Sequence, residues 1–416
     1  MLNETPLLVK LNPSRRRKVG KSAPKQSNKL ISTILYIKSF VGMTGISVGY
    51  FFSKVGVIPV LTLYPIILII SIVLMNNLSD VYLSICEEWG RKPQNTGEFV
   101  SILNPVTKRV FGVSIIACQY CLCMAYIILF CNELSSLMNI TIHSMFLFCS
   151  VPLILINLFP SLVQLSFLSF VGSFLIFSSI LTVFGSSLFG VLDYGLDDYF
   201  VPVTSDVSSH IFTFMGACVF TFEGTAVVVV LMNAFKEPKY IKKLNVGVLT
   251  FLCCLFIATG LLVYGRGGTN VPQIVPLMLG GFASKYVFAA SSFALFLTHP
   301  LMAATIYDMF EKRTEKDADG KAIQLPPEVN FTFIIRRVGI VVSMLFSAYL
   351  LRNQFGKVNG IVSSSFGSYI TLIAPAQIHM KFMKNNMTPF QRLIDWIGII
   401  LGVILIPIGT WEAIIE

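Results

Sequence analysis

The sequence is poor in charge. Only 12% of its 416 residues are charged, whereas 55% are hydrophobic and the mean hydropathy is +0.76. A soluble domain carries about 25% charged residues, so this composition excludes an ordinary soluble globular protein. Apolar runs recur along almost the whole chain, each close to the roughly 20 residues that a helix needs to cross hydrocarbon. The sequence therefore predicts an all-α integral membrane protein.

The motifs of common enzymes are also missing. We find no nucleophile motif, phosphate-binding loop or paired carboxylates, and we predict that the protein is not an enzyme. The chain has 4 histidines and 9 cysteines, but no cysteine pair is accompanied by histidines or a second thiol pair at metal-ligand spacing. We therefore expect no metal and no cofactor. No small-residue cleavage site follows the first apolar run, so we do not expect a cleaved signal peptide.

Positive charge is concentrated before the first apolar run. The basic residues there are Lys10, Arg15, Arg16, Arg17, Lys18, Lys21, Lys25 and Lys29. No aromatic residue is interleaved with them, which argues against nucleic acid as a partner. We interpret residues 1–30 as a disordered cytosolic tail that sets the orientation of the chain and contacts anionic lipid.

The apolar runs predict eleven transmembrane helices in one domain, residues 31–416. The predicted spans are 31–53, 57–84, 109–135, 142–160, 162–190, 210–235, 244–264, 283–310, 331–351, 358–380 and 393–413. Loops after the second, sixth, eighth and tenth spans are rich in lysine and arginine, whereas residues 191–209 contain aspartates and no basic residue. This bias predicts a cytosolic N-terminus. The polar segment 311–330 is predicted to be a flexible cytosolic connector.

Two spans are interrupted by glycine. The first contains "GMTG" (Gly42 to Gly45) and the sixth contains "FEGT" (Phe222 to Thr225), five spans later. Glycine-interrupted helices at corresponding positions of two halves indicate the central site of a transporter. Unwound amides suit a carboxylate and unwound carbonyls suit an ammonium, so a zwitterionic amino acid fits both. The alternative is that these glycines only allow close helix packing.

Several motifs together resemble the amino acid/auxin permease family. "GMTGISVGYFFSKVG" is similar to its first-helix signature, and "FTFEGTAVVVVLMNAFKEPKYI" resembles the sixth-helix signature of its proton-assisted amino acid transporter branch. "FGSYITLIAPAQIHMKF" looks like the tenth helix, "GVILIPIGTWEAIIE" like the closing segment and "MAYIILFCNEL" like the third helix. The chain departs from the pattern at Thr44, at Gly49 and at Leu35, where some proton-coupled relatives carry a histidine.

The resemblance implies a five-plus-five inverted-repeat core with broken first and sixth helices. Residues 31–190 and 210–380 would form the two repeats, and 393–413 an additional helix. The family works by alternating access on amino acid substrates. The candidate substrate-binding residues are those of the two breaks: Gly42, Met43, Thr44, Gly45, Phe220, Thr221, Phe222 and Gly224.

Glu223 is the only charged residue between Ile211 and Phe235. A carboxylate at the centre of an apolar span costs about 2.5–3.5 kcal/mol on insertion scales. It is either a structural carboxyl bonded to opened backbone or a proton carrier and gate for the substrate ammonium. His299 is a second candidate for proton coupling, because histidine titrates near neutrality.

Other polar residues offer alternatives. Thr298, with Ser291 and Ser292, could ligate sodium together with the broken first helix, and Tyr126 and Ser364 could line or gate the path. We therefore predict a proton-coupled transporter of small neutral amino acids in the plasma membrane or a vacuolar or lysosomal membrane. A sodium-coupled transporter and a non-transporting amino acid sensor that uses the same pocket remain the alternatives.

Overall fold

A computed structural model describes residues 29–42, 44–93, 96–100, 104–159, 162–235, 237–311, 313–316, 322–325 and 329–415. The predicted tail, residues 1–30, lies almost entirely outside the described residues. The helices are α1 (Lys29–Phe40), α2 (Thr44–Val55), α3 (Val57–Trp89), α4 (Thr96–Phe99), α5 (Pro105–Met138), α6 (Ile142–Asn157), α7 (Leu162–Tyr194), α8 (Ile211–Thr221), α9 (Thr225–Ala234), α10 (Ile241–Gly267), α11 (Gly281–Glu311), α12 (Phe331–Leu350), α13 (Phe355–Val362), α14 (Ala374–Phe382) and α15 (Pro389–Ile415). The all-α membrane fold is confirmed.

The number of spans stays a prediction. Within the described part of the chain, 8 helical segments are long and apolar enough to cross a membrane by themselves. The first and sixth predicted spans are pairs of half-helices, and the fourth, Ile142–Asn157, has only 16 residues. Helix bounds otherwise follow the predicted spans closely, although α3 continues to Trp89 instead of ending at residue 84.

Local signals explain where several helices begin and end. The Asn104 side chain accepts a hydrogen bond from the backbone of Thr107 at the start of α5, and Pro105 occupies the first helical position. The same helix ends at Asn139, which has a left-handed backbone with φ of 55°. Thr141 then caps α6. The short connection between α5 and α6 therefore follows from two residues, Asn139 and Thr141.

The predicted breaks in the first and sixth spans are confirmed. α1 ends at Phe40 and α2 begins at Thr44, while α8 ends at Thr221 and α9 begins at Thr225. A third irregularity was not predicted. Two consecutive π-helical turns, Ser363–Gly367 and Tyr369–Ile373, join α13 to α14 within a continuous helical segment.

The helix ends define two faces of the bundle. We call the proximal face the end at which α1 begins, where Lys29 pairs with Glu237 at 3.4 Å and Lys242 pairs with Asp80. We call the distal face the end at which α2 meets α3, where the Thr204 hydroxyl donates to the carbonyl of Lys54. The half-helices therefore run between these faces and meet in the interior.

The polar connector contains structure that the sequence did not predict. Residues Arg313–Lys316 and Ala322–Leu325 form strands β1 and β2, which pair antiparallel with Arg313 opposite Leu325. In β2, Ile323 and Leu325 lie on either side of Gln324, and such an alternation of apolar and polar residues favours a strand. The expectation of a wholly flexible connector was therefore wrong for these two short segments.

Candidate functional site

The two helix breaks contact each other. A Cβ added to Gly224 would fall on the ring of Phe40, the last residue of α1, and 2.7 Å from Cε of Met75 on α3. No side chain larger than hydrogen fits there without displacing an aromatic ring. The backbone of the second break is therefore packed against the end of the first half-helix.

The first break lies between α5 on one side and α7 and α10 on the other. The position of a Cβ on Gly42 is 3.6 Å from the hydroxyl of Tyr126, which is buried on α5. A Cβ on Gly45 would be 2.7 Å from Ile180 of α7 and 2.7 Å from Phe256 of α10. Gly42 thus faces space bounded by a hydroxyl, whereas Gly45 is in close packing.

Four half-helix ends meet in this region. The N-terminus of α2 begins at Thr44 and that of α9 at Thr225, while α1 and α8 end at Phe40 and Thr221. Helix N-termini present amide donors and partial positive charge, and C-termini present carbonyls and partial negative charge. The arrangement has binding groups for both a carboxylate and an ammonium. Met43 and the side chain of Thr44 lie outside the described part of the structure.

The side chains of the second break are occupied by packing. The Phe222 ring is buried and meets Tyr64 of α3 edge-on at a centroid distance of 5.2 Å. The Thr221 hydroxyl donates to the carbonyl of Ala217, and Phe220 lies against Gly367 in the π-helical segment. The side chains of these residues therefore pack around the break, and its backbone N–H and C=O groups are the candidates for binding a ligand.

Glu223 lies in the second break and is half-buried, in contrast to its fully buried neighbours Phe222 and Gly224. Its backbone N–H donates to the carbonyl of Phe220 at 3.1 Å. Its carboxylate is within electrostatic range of the Cys118 thiol on α5. The acid therefore lies where α5 borders the break, with part of its surface accessible.

Glu412 of α15 fixes the start of α8. Its carboxylate accepts from the backbone N–H groups of Phe212 and Thr213 at 3.0 and 2.8 Å, and also from the Thr213 hydroxyl. A carboxylate at a helix N-terminus satisfies orphan amides and opposes the positive end of the dipole. The acid in the closing segment "GTWEA" is thus the cap of the half-helix that leads into the break.

Lys92 fixes the other end of the broken span. Its ammonium donates to the carbonyls of Met232, Asn233 and Phe235, at 3.3, 3.3 and 3.2 Å, where α9 ends. The Asn233 amide donates back to the carbonyl of Pro93 at 2.8 Å. Partial burial lowers the pKa of Lys92. The connection between α3 and α5 is therefore tied to the proximal end of α9.

The other predicted site residues lie elsewhere. The Thr298 hydroxyl donates to Ala294 within its own helix at 2.7 Å and lies against Gly172 of α7. His299 is fully buried, and its Nδ1 is 3.2 Å from the Asn157 amide at the end of α6. The structure therefore brings Tyr126 to the first break but directs Thr298 and His299 toward α7 and α6.

Ser364 lies at a crossing of small residues. Its hydroxyl is against Gly216 of α8 and would be 2.7 Å from a Cβ on Gly409 of α15. The hydroxyl is buried, and it has no hydrogen-bond partner within the described structure. The contact joins the π-helical turns to α8, one helix turn before the break.

Glu133 was not among the predicted site residues, yet it is fully buried on α5 and bonded to Ser291 and Ser292. The signal was the same as for Glu223, because Glu133 is the only charged residue between Arg109 and Asp193. It was overlooked since it lies near the end of a span and not beside a glycine. Lys92 could not be recognised in this way, because it is one of several basic residues in a loop and not an isolated charge in an apolar span.

The chain is similar to known amino acid transporters. It is 24% identical over 327 residues to amino acid transporter AVT3A of Arabidopsis thaliana, covering 76% of this chain and 72% of that one. It is 28% identical over 204 residues to AVT3C of the same plant, covering 49% of this chain and 43% of the relative. It is 28% identical over 205 residues to vacuolar amino acid transporter 3 of Saccharomyces cerevisiae, covering 48% of this chain and 29% of the yeast protein. The chain thus spans less than half the length of two of these three relatives.

Solved structures share the fold. The structure of MhsT in complex with L-phenylalanine matches with a TM-score of 0.61 at 13% identity, covering 93% of this chain and all of the other. A Na⁺-coupled sialic acid symporter matches with a TM-score of 0.51 at 11% identity, covering 92% and 90%. At these identities the likeness shows the fold alone.

The family model described as transmembrane amino acid transporter protein matches residues 25–415. This match confirms the family resemblance seen in the motifs, and the transporter names of the relatives agree with the expectation of no enzymatic activity. The chain is a multi-pass membrane protein that belongs to the family of transmembrane amino acid transporter proteins.

Proposed function

We propose that this protein carries small neutral amino acids across a membrane by alternating access, driven by protons. The observation that carries the proposal is the meeting of the two breaks, where Gly224 packs on Phe40 and Gly42 faces the Tyr126 hydroxyl. Irregular backbone at membrane depth is tolerated where it is buried in protein or lines a cavity. Family membership adds amino acids as the substrate class.

The substrate carboxylate binds at the start of α2, from Gly42 to Gly45, and the ammonium binds at the end of α8 with Glu223. The close packing around Gly45 and Gly224 favours small substrates, because Phe256, Phe40 and Met75 already fill the space beside them. Tyr126 borders the carboxylate site.

Protons are the proposed coupling ion, and Glu223 is the proposed carrier in the break, because this residue is only half-buried. His299 is the second candidate, although its bond to Asn157 directs it toward α6. The alternative is sodium ligated by Thr298. The Thr298 hydroxyl donates its hydrogen to a carbonyl of its own helix, and its oxygen lone pairs remain available to a sodium ion.

We propose the vacuolar membrane as the location, because a yeast relative bears the name vacuolar amino acid transporter. The plasma membrane is the alternative. The basic N-terminal tail would face the cytosol, as the distribution of basic residues predicts.

Uptake by purified protein in proteoliposomes tests the function. A labelled mixture of the standard amino acids is supplied with an imposed pH gradient, with sodium or with choline. The gradient is expected to drive uptake, and sodium to have no effect. Sodium-dependent uptake at a fixed pH would show that the coupling ion is sodium and not the proton. Saturable binding of amino acids without flux would favour a sensor.

The variant Gly42→Ala tests the site. A Cβ there meets only the Tyr126 hydroxyl at ordinary contact distance, so the fold tolerates the change. The methyl group occupies carboxylate space, and loss of one hydrogen bond of about 1.4 kcal/mol predicts a tenfold higher KM. The matched control is Gly247→Ala on α10, whose added Cβ has no atom within 4 Å. An unchanged KM in Gly42→Ala would refute the position of the carboxylate.

A further inference from the structure

Glu133 forms a polar site between α5 and α11 that neither break contains. Its side chain is fully buried, and one carboxyl oxygen, Oε2, accepts hydrogen bonds from Ser291 at 2.7 Å and from Ser292 at 2.9 Å. The other oxygen, Oε1, is buried without a hydrogen-bond partner among the described residues. Burying a carboxylate with an oxygen unsatisfied is costly, so the site needs a further group.

The hydrogens around Glu133 can be counted. The Ser291 oxygen lies within hydrogen-bond distance of two acceptors, Oε2 of Glu133 and the carbonyl of Val287. A serine has one hydroxyl hydrogen and two acceptor positions, so it can donate to only one of them. If that hydrogen points to Val287, a protonated Glu133 can donate to Ser291 with no movement of heavy atoms. If it points to Glu133, the same atoms stabilise the carboxylate.

The surroundings supply no countercharge. The hydrogen-bond partners of the carboxyl are the two α11 hydroxyls, and Glu133 forms no ion pair among the described residues. Four titratable groups on the helices that pack against α5 have other partners. Arg352 after α12 bonds the carbonyl of Tyr349, and Lys357 of α13 bonds the carbonyl of Ile414. His143 of α6 bonds the Tyr349 hydroxyl, and Tyr286 of α11 bonds Ser178. A proton is therefore the simplest neutralising group.

Glu133 is connected to the break through its own helix. It lies seven residues from Tyr126, and in an α-helix that spacing puts both on one face about 10 Å apart along the axis. Phe130 lies between them and meets Phe296 of α11 edge-on at 6.1 Å. A change in the distance between α5 and α11 alters the two serine bonds, and it also acts on the helix that carries Tyr126.

We propose that Glu133, with Ser291 and Ser292, is a proton-binding site of the transport cycle. The inference rests on the proposed proton coupling and adds a site outside the breaks. The carboxyl takes up a proton from one side of the membrane and releases it to the other as the packing of α5 against α11 changes. Both hydroxyls bond directly to Oε2, at 2.7 and 2.9 Å, so no sodium ion bridges them to that oxygen.

The experiment uses full-length protein in proteoliposomes with pyranine inside and the labelled amino acid mixture outside. Wild type tests the function itself: without pH-driven uptake and proton influx, the proposed proton coupling fails, and the Glu133 site fails with it. If wild-type transport is coupled to protons, Glu133→Gln is expected to keep amino acid counterflow. Its pH-driven accumulation of amino acids is expected to be at least tenfold lower than that of wild type. A Glu133→Gln variant that accumulates amino acids with the pH profile of wild type overturns the proposal, although proton coupling stands.

The serine variants make the test independent of whether Glu133→Gln folds. Ser291→Ala with Ser292→Ala removes both donors to the carboxylate, and the pH midpoint of uptake is expected to move upward by about one unit or more. Ser187→Ala is the matched control, because this buried hydroxyl has no partner within the described structure. An unmoved midpoint in the double variant overturns the proposal, as does sodium-stimulated uptake that Glu133→Gln abolishes.

Discussion

Replacing Glu412 by alanine removes the acceptor that caps α8. The backbone N–H groups of Phe212 and Thr213 then lose their bonds of 3.0 and 2.8 Å, and the Thr213 amide is fully buried. A buried donor without a partner costs about 1–3 kcal/mol. The Phe212 amide is only partly buried, so it contributes at the lower end of that range. We expect Glu412→Ala to lower the free energy of unfolding by about 2–4 kcal/mol.

Glu412→Gln separates hydrogen bonding from charge. The amide oxygen of glutamine still accepts from both N–H groups, so this variant loses the interaction of a full charge with the helix N-terminus, about 0.3–2 kcal/mol. Reversible unfolding in mixed detergent micelles is expected to rank wild type above Glu412→Gln and Glu412→Ala last. The proposed capping role is refuted if Glu412→Ala is as stable as wild type, or if Glu412→Gln is less stable than Glu412→Ala.

Three further predictions follow from the same contacts. Gly224→Ala is expected to abolish uptake and lower the melting temperature, because the methyl group overlaps the ring at the end of α1, and thermal unfolding with an uptake assay measures both. Tyr126→Phe removes the hydroxyl that faces Gly42 and is expected to raise KM by about 5–10-fold at unchanged stability; an unchanged KM would place the substrate elsewhere. Asp395→Ala leaves His379 without its carboxylate partner at 2.6 Å in the interior, and is expected to destabilise the protein by about 3–5 kcal/mol in a micelle unfolding assay.

The breaks were predictable because their cause is local. Glycine has no Cβ and lacks the helix preference of its neighbours, so "GMTG" and "FEGT" mark the positions where helices end at Phe40 and Thr221. The lengths of the apolar runs located most helix bounds for a similar reason, since hydrocarbon thickness limits them directly.

The contacts of the breaks were not predictable, because they join distant parts of the chain. Nothing near Gly224 in the sequence indicates that its backbone meets Phe40 and Met75. The bonds of Lys92 to the carbonyls of α9 cross about 140 residues, and no single-sequence pattern distinguishes this lysine from its neighbours. Such pairings depend on how helices that are distant in the sequence pack together.

The buried acids of this chain differ in how their charge is compensated. Asp395 has a partner on each oxygen, Asn77 at 3.0 Å and His379 at 2.6 Å, and Glu412 accepts from the start of a helix. Both carboxyl groups therefore have polar partners that fix helices in place. Glu133 has only two neutral hydroxyls, both on one oxygen.

The partners of each carboxyl group therefore distinguish acids that stabilise the fold from an acid that gains and loses a proton. A carboxyl whose charge is compensated by an ion pair or a helix dipole gains little from a proton, and its replacement lowers stability without changing pH dependence. A carboxyl that lacks such compensation alternates between its protonated and its ionised state, and its replacement changes the dependence of uptake on pH. Comparing Asp395→Asn with Glu133→Gln in one uptake assay therefore tests the distinction: the first is expected to lose stability at a normal pH midpoint, and the second to lose the pH response while amino acid exchange persists. The distinction is wrong if both variants lose the pH response to the same extent.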